Sequence, residues 1–209
     1  MYDALLFDLD GTLIDTESVA IRAGMAAFAA QGHEVSLGFM HSLVGLDEPT
    51  GGQRIAQALP GLDQAALRQD WQRRFVSATE RELLLKPGVD LLLAAGLAPM
   101  AVVTSSSQAS ARRKLARVGL LDRFVTLVTL DDVAMAKPAP EPYLLAAQRL
   151  SVSPARCLAF EDSETGAEAA HRAGCTVVQI PDVVPSQGRW AHHLAEDLLS
   201  GARLAGLRL

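Results

Sequence analysis

Short apolar runs that stop on acidic or hydroxyl residues, spaced by helix-length amphipathic stretches, narrow the possible folds of this chain more than any other feature. Ala4–Phe7 runs into Asp8, Met100–Val103 into Thr104-Ser105, and Cys157–Phe160 into Glu161-Asp162. Phe124–Val128 leads into Thr129 and then Asp131-Asp132, and a fifth run, Thr176–Ile180, is stopped by Pro181. Short, uninterrupted apolar runs suit strands covered on both faces, as in a parallel sheet. Helical patterns lie between them, at Ala109–Val118, Pro142–Leu150 and Thr165–Ala173. Strand–helix alternation predicts an α/β fold with an open parallel sheet and crossover helices.

One stretch breaks the rhythm. From Thr16 to Leu85 the periodicity is helical: Val19–Ala30 is rich in alanine, Gln53–Leu59 is amphipathic, and Gln64–Leu85 carries its charges on one face. Gly51-Gly52, Pro60-Gly61 and Lys86-Pro87-Gly88 punctuate it. A helical insert of this length after the first strand predicts a separate module. The expected organisation is therefore a core of residues 1–15 and 86–209 with an inserted helical domain, 16–85. Trp190–Leu207 reads as one more helix, with His192-His193 on its solvated face.

Composition excludes several classes of function. Of 209 residues, 49% are hydrophobic and 21% charged, which is enough apolar surface to form a core. A net charge of -5 argues against nucleic-acid backbone binding, which needs clustered cations. No apolar run approaches the ~18 residues of a membrane span, and Met1-Tyr2-Asp3 leads into the first strand without a basic and apolar leader. Cys157 and Cys175 have no metal-ligand spacing and read as small buried hydrophobes rather than a disulfide. These features predict a cytoplasmic protein, a monomer or weak homodimer, without nucleic-acid or membrane partners. Only three of its 19 basic residues are lysines (Lys86, Lys114 and Lys137), so a lysine beside reactive groups stands out.

In an open parallel sheet, ligands bind beyond the carboxyl ends of the strands. The first strand delivers Asp8, with Asp10, Gly11 and Thr12 beyond it; the second delivers Thr104, Ser105 and Ser106. Lys137-Pro138 follows the third, and Glu161, Asp162, Ser163 and Gly166 follow the fourth. Carboxylates, hydroxyls and a lysine on one edge suit a hard, oxygen-seeking cation together with a phosphate. Two carboxylates two residues apart can share a metal or divide the work of nucleophile and acid, and Gly11 permits a turn that a side chain would block.

The stretch Phe7–Glu17, FDLDGTLIDTE, resembles the first motif of the haloacid dehalogenase superfamily. Val102–Ser106 resembles its second motif, Lys137-Pro138 its third, and FEDSETG at Phe160–Gly166 its fourth, in order along nearly the whole chain. The helical insert after the first motif is similar to the subfamily with a small α-helical cap over a Rossmann-like core, which includes phosphoglycolate phosphatases and β-phosphoglucomutases. The resemblance implies that Asp8 is a nucleophile forming an aspartyl-phosphate, and that Asp10 is general acid and then base. It implies Mg²⁺ held by Asp8, Asp162 and the Asp10 carbonyl, with Glu161 supporting them. Thr104, Ser105 and Ser106 are the candidates to hydrogen-bond the phosphoryl oxygens, and Lys137 would neutralise charge between nucleophile and phosphate. Dehalogenases of the superfamily lack a counterpart of Asp10, so the pair Asp8 and Asp10 favours a small phosphomonoester, a sugar phosphate or phosphoglycolate-like compound, as substrate.

The loop Leu43–Gly52 is where the cap is expected to select substrate, with Gly45, Asp47 and Glu48 as candidate specificity residues. Resembling mutases place a basic residue shortly after the equivalent of Gly45 and a His soon after the first motif. This chain has Asp47-Glu48 and Ser18-Val19-Ala20 there, so a hexose-phosphate mutase is the alternative rather than the primary expectation. A non-catalytic binding protein is a further alternative, against which Asp8, Asp10, Lys137 and Asp162 are all present. Asp15 lies at the exit from the core, either lining the cavity or capping the next helix. Trp71 and Phe75 are expected in a packed core, and Arg54 on an exposed helix face.

Overall fold

The first strand, β1 (Ala4–Phe7), is buried at every residue, and the rest of the sheet is arranged around it. In the computed structural model, which describes residues 2–46 and 48–209 and only the backbone of Glu48, four helices follow β1. They are α1 (Thr16–Ala30), α2 (Leu37–His41), α3 (Glu48–Ala58) and α4 (Gln64–Glu82). Then come α5 (Val89–Ala94), β2 (Met100–Val103), α6 (Gln108–Arg117), β3 (Thr126–Val128) and α7 (Glu141–Arg149). The chain ends with β4 (Cys157–Glu161), α8 (Glu164–Arg172), β5 (Thr176–Gln179), β6 (His193–Leu194) and α9 (Leu198–Leu204).

All strand pairs are parallel and the order is β3-β2-β1-β4-β5-β6. This is the expected α/β, Rossmann-like sheet. The register sets Phe7 opposite both Val102 and Phe160, and the Phe7 and Phe160 rings stack at 4.9 Å. On one side of the sheet Leu6, Val103, Ala159 and Val177 pack with Tyr143, Ala146, Ala147, Ala167 and Ala170. Alanines on α7 and α8 let those helices approach the strands closely, which seats the end of α8 against the end of β4. Cys157 and Cys175 are buried free thiols, as expected.

Backbone packing divides the chain into two units, one running to Asp15 and resuming over Leu84–Leu209, the other Thr16–Leu83. Inside the first, Leu85 bridges Ile14 in antiparallel fashion, and the Asp15 N–H donates to the Leu84 carbonyl at 3.0 Å. This pairing ends α4 at Glu82, short of the expected Leu85: Leu83 is extended, and Pro87 disfavours helical geometry at Lys86. The C-terminal region also departs from expectation. Trp190–Leu207 is not one helix; β6 forms at His193–Leu194 and the helix is confined to Leu198–Leu204, capped by Asp197. His192 is exposed, as expected, but not on a helix: its Nδ1 accepts the Val177 N–H at 3.0 Å and its ring stacks on His171. Backbone pairing with β5 outweighs a weak helical pattern there.

Within the second unit, α1 packs along α4, and Phe28 meets both Phe39 and Trp71 at ring-centroid distances of 5.8 and 6.0 Å. Trp71 is half-buried, and its Nε1 donates to the Ala20 carbonyl at 2.8 Å, so the indole serves packing between helices as expected. Arg54 donates to the Ser42 carbonyl from an exposed position. At Gly24 there is no room for a side chain: a Cβ there would lie 2.5 Å from Met40 Cε and 2.6 Å from the Trp71 ring. Helix propensity alone favours alanine over glycine by ~1 kcal/mol, whereas forcing a methyl against a rigid, hydrogen-bonded indole costs about 1–3 kcal/mol. Gly24→Ala is therefore expected to lower the midpoint of thermal unfolding. A raised midpoint would show that the indole yields to the added methyl.

Candidate active site

Strand order reverses around β1, whose neighbours β2 and β4 carry the chain to opposite sides; such a switch point leaves a crevice at the carboxyl edge. Asp8 steps out of β1 there, its N–H donating to the Phe160 carbonyl at 3.0 Å. Lys137 reaches the same point from the loop after β3, with only 5% of its side chain exposed. Its Nζ donates to Asp8 Oδ1 at 2.7 Å, to Glu161 Oε1 at 2.6 Å and to the Val103 carbonyl at 2.9 Å. The three ammonium hydrogens thus meet acceptors from the ends of β1, β4 and β2, leaving no unsatisfied donor. Tyr143 on α7 donates its hydroxyl to the same Glu161 oxygen, with its ring 5.3 Å from the ammonium.

Asp162 completes an acidic triad. One carboxylate oxygen from each of Asp8, Glu161 and Asp162 lies within 4.8 Å of the others. Burial, followed by the Lys137 charge acting in the opposite direction and the Glu161 charge reinforcing it, leaves the Asp8 carboxyl raised to about 7. Burial, then the charges of Asp8 and Glu161, raises Asp162 to about 9. Lys137 loses cationic character to burial, but Asp8 and Glu161 more than compensate and its pKa rises. Three carboxylates against one ammonium leave an excess of negative charge, in a donor set made only of hard oxygens. The residues present therefore fit a divalent cation such as Mg²⁺. Two glycines make room: a Cβ on Gly11, which has φ +88°, would overlap Asp162 Oδ2, and one on Gly166 would overlap the Glu161 carboxylate.

The Asp10 side chain points elsewhere. Its Oδ2 accepts from Ser106 Oγ at 2.8 Å and its Oδ1 from Lys114 Nζ at 2.6 Å, so its carboxylate stands apart from the triad. The expectation for metal at Asp10 concerned its backbone carbonyl, not this carboxylate. Thr104 is buried, and its Oγ1 accepts the Ser106 N–H at 3.0 Å, which shapes the turn; Ser105 is exposed. Asp15 directly precedes α1 and is half-buried. Gly45 is exposed with φ +76°. Asp47 lies outside the described residues, as does the side chain of Glu48.

Two residues at this edge escaped the sequence reading. Lys114 shares the inward face of α6 with Ala111 and Leu115; a scarce lysine on the apolar stripe of a helix was the available signal. Tyr143 had none, because a tyrosine on a helix face reads as core until its hydroxyl partner is known. Asp131 and Asp132, also at the edge, serve local structure: Asp131 accepts the Gln108 N–H, and Asp132 caps the turn at Thr129 and pairs with Arg149.

Comparison with known proteins agrees with this geometry. A family model for haloacid dehalogenase-like hydrolases matches residues 2–174. The chain is 38% identical to the fructose-1-phosphate phosphatase YqaB of Escherichia coli (strain K12) over 185 residues, covering 86% of this chain and 96% of that protein. It is 34% identical to hexitol phosphatase A of the same organism, covering 84% of this chain and 81% of the relative. The crystal structure of CbbY from Rhodobacter sphaeroides in complex with phosphate is similar over 99% of this chain and 98% of that one, with a TM-score of 0.73 and 32% identity. A family-model match over residues 2–174, together with a relative 38% identical along 86% of the chain, makes this protein a member of the haloacid dehalogenase-like hydrolase family.

Proposed function

We propose that this chain is a Mg²⁺-dependent phosphatase that hydrolyses a small phosphomonoester, a sugar phosphate or phosphoglycolate-like compound, through a phosphoryl group carried on Asp8. The observation that carries the reading is the buried Asp8 carboxylate, 2.7 Å from the Lys137 ammonium and flanked by the carboxylates of Glu161 and Asp162. Names of the relatives, a fructose-1-phosphate phosphatase and a hexitol phosphatase, support the substrate class. In this reading Thr16–Leu83 is a cap domain that carries substrate choice. Among the described residues no helix is long and apolar enough to cross a membrane.

Phosphoryl transfer depends on placement and charge neutralisation more than on elaborate covalent chemistry. An Asp8 oxygen forms a bond to phosphorus as the bond to the ester oxygen breaks, and Asp10 gives that oxygen a proton. Water then attacks the phosphorus with its proton passing to Asp10, which frees Asp8 and inorganic phosphate. Lys137 holds Asp8 in line and offsets its charge, while Glu161 and Tyr143 hold Lys137. Thr104 and Ser105 supply hydroxyl donors at the phosphoryl group, beside Ser106, whose single O–H is given to Asp10. Mg²⁺, when held by Asp8, Asp162 and the Asp10 carbonyl with Glu161 behind them, supplies the positive charge that lets a carboxylate approach a phosphate dianion.

The test is phosphate release from a panel of sugar phosphates, phosphoglycolate, nucleotides and aryl phosphates, with Mg²⁺ and with chelator. Asp8→Asn is expected to lower turnover by at least about 10³-fold with an unchanged circular-dichroism spectrum; retained activity would remove Asp8 as nucleophile. Asp162→Ala should weaken the Mg²⁺ activation constant by an order of magnitude or more, about the loss known for supporting ligands, and an unchanged titration would exclude it as a ligand.

Metal-free stability should also depend on pH. Folded Asp8 and Asp162 keep protons that the unfolded chain, with the ordinary carboxyl value of 3.8, releases. The folded state binds more protons, so stability falls as pH rises through about 7 for Asp8 and about 9 for Asp162. Mg²⁺ competes with those protons and should raise the unfolding midpoint more at pH 8 than at pH 5.5 (the two assay conditions, ~2.5 units apart). Equal Mg²⁺ stabilisation at both would count against ion binding at this triad.

A further inference from the structure

Lys114, which has no part in the reaction proposed above, closes a triangle with Asp10 and Ser106. Lys114 Nζ donates to Asp10 Oδ1 at 2.6 Å and to Ser106 Oγ at 3.1 Å, while Ser106 Oγ donates to Asp10 Oδ2 at 2.8 Å. The contacts span 104 positions in sequence, joining the turn after β1 to the inward face of α6. Lys114 is drawn in: its side chain is 12% exposed, whereas Arg112, Arg113 and Arg117 on the same helix are exposed. Asp10 is 29% exposed, in a turn where a short carboxylate has freedom to rotate.

We propose that Lys114 is a positioning residue for the hydrolytic reaction: with Ser106 it fixes the rotamer of the Asp10 carboxylate, so that Asp10 meets the departing ester oxygen and then the attacking water in one geometry. The inference rests on the phosphatase reading, in which Asp10 exchanges protons with both. Proton transfer falls off steeply when donor and acceptor leave hydrogen-bond reach, and fixing a rotor in advance removes an orientational cost from the barrier. A carboxylate has about four lone-pair sites; the triangle occupies one on each oxygen and leaves others for the proton in transit. Lysine suits the task because its point charge and rotatable donors reach two acceptors on different elements, which a planar guanidinium does less readily.

The experiment compares kcat/KM along a series from p-nitrophenyl phosphate to phenyl phosphate, nearly the same in shape but increasingly in need of a proton on the leaving oxygen. Such a series carries no sugar, so loss of a contact to a sugar cannot imitate the result. For Lys114→Met, the penalty is expected to grow along the series, so that the phenyl to p-nitrophenyl ratio of kcat/KM falls by at least about tenfold, within the range attributed to general acid catalysis. Asp10→Asn should show the same trend more strongly, and Lys114→Arg should recover part of it. A ratio unchanged in Lys114→Met, whether or not both values fall together, overturns the positioning role while leaving the phosphatase reading in place. Wild-type protein inactive with Mg²⁺ on every ester, sugar phosphates included, overturns both.

Discussion

A single ammonium group ties together the three central strand ends of this protein. Lys137 donates at once to Asp8 beyond β1, to the Val103 carbonyl on β2 and to Glu161 on β4. Buried carboxylates are costly without a partner, and breaking a buried pair is strongly destabilising because it strands the remaining charge. Asp8 and Glu161 can therefore occupy the interior edge of the sheet only while Lys137 stands between them. Tyr143, which donates to the same Glu161 oxygen, orients Glu161 and so indirectly Lys137. The arrangement remains short of positive charge, since Asp162 joins the cluster without an ammonium of its own. In the proposed reaction a divalent cation would fill that deficit beside a phosphate.

Close packing around the cluster leaves no slack. Gly11 and Gly166 stand where any side chain would displace a carboxylate of the triad. Alanines along α7 and α8 bring those helices down onto the sheet, so the ends of β4 and α8 supply Glu161 and the Ser163 cap within a few residues. The Ser163 hydroxyl accepts the Gly166 N–H at 3.1 Å and so sets the first turn of α8 just beyond the acidic pair. Local backbone rules and site geometry therefore make the same demands on this segment.

Lysine is used sparingly, and each one meets a carboxylate of the same unit: Lys86 with Asp182, Lys114 with Asp10, and Lys137 with Asp8 and Glu161. The arginines serve largely on exposed positions, as in the Arg73 and Arg74 pairs with Asp70 or Arg156 with Asp3. Compact, rotatable ammonium groups have gone to the partly or fully buried sites, where several acceptors converge from different elements.

The strands and their order of appearance, the positions of Asp8, Lys137, Glu161 and Asp162 beyond them, and the helical character of residues 16–82 were legible in the sequence. Apolar runs and their polar stops are local patterns, and a parallel sheet always presents those stops on one edge. Other features were decided only by tertiary structure. The two-residue strand β6 arises from backbone bonds to β5 and has no hydrophobic signature. The Asp10 carboxylate turns toward Ser106 and Lys114, and Tyr143 finds Glu161, through contacts between elements distant in the chain. Sequence determined which chemical groups reach the carboxyl edge, because strand periodicity is local; folding decided which of them touch, because side-chain orientation is set by neighbours that only packing brings together.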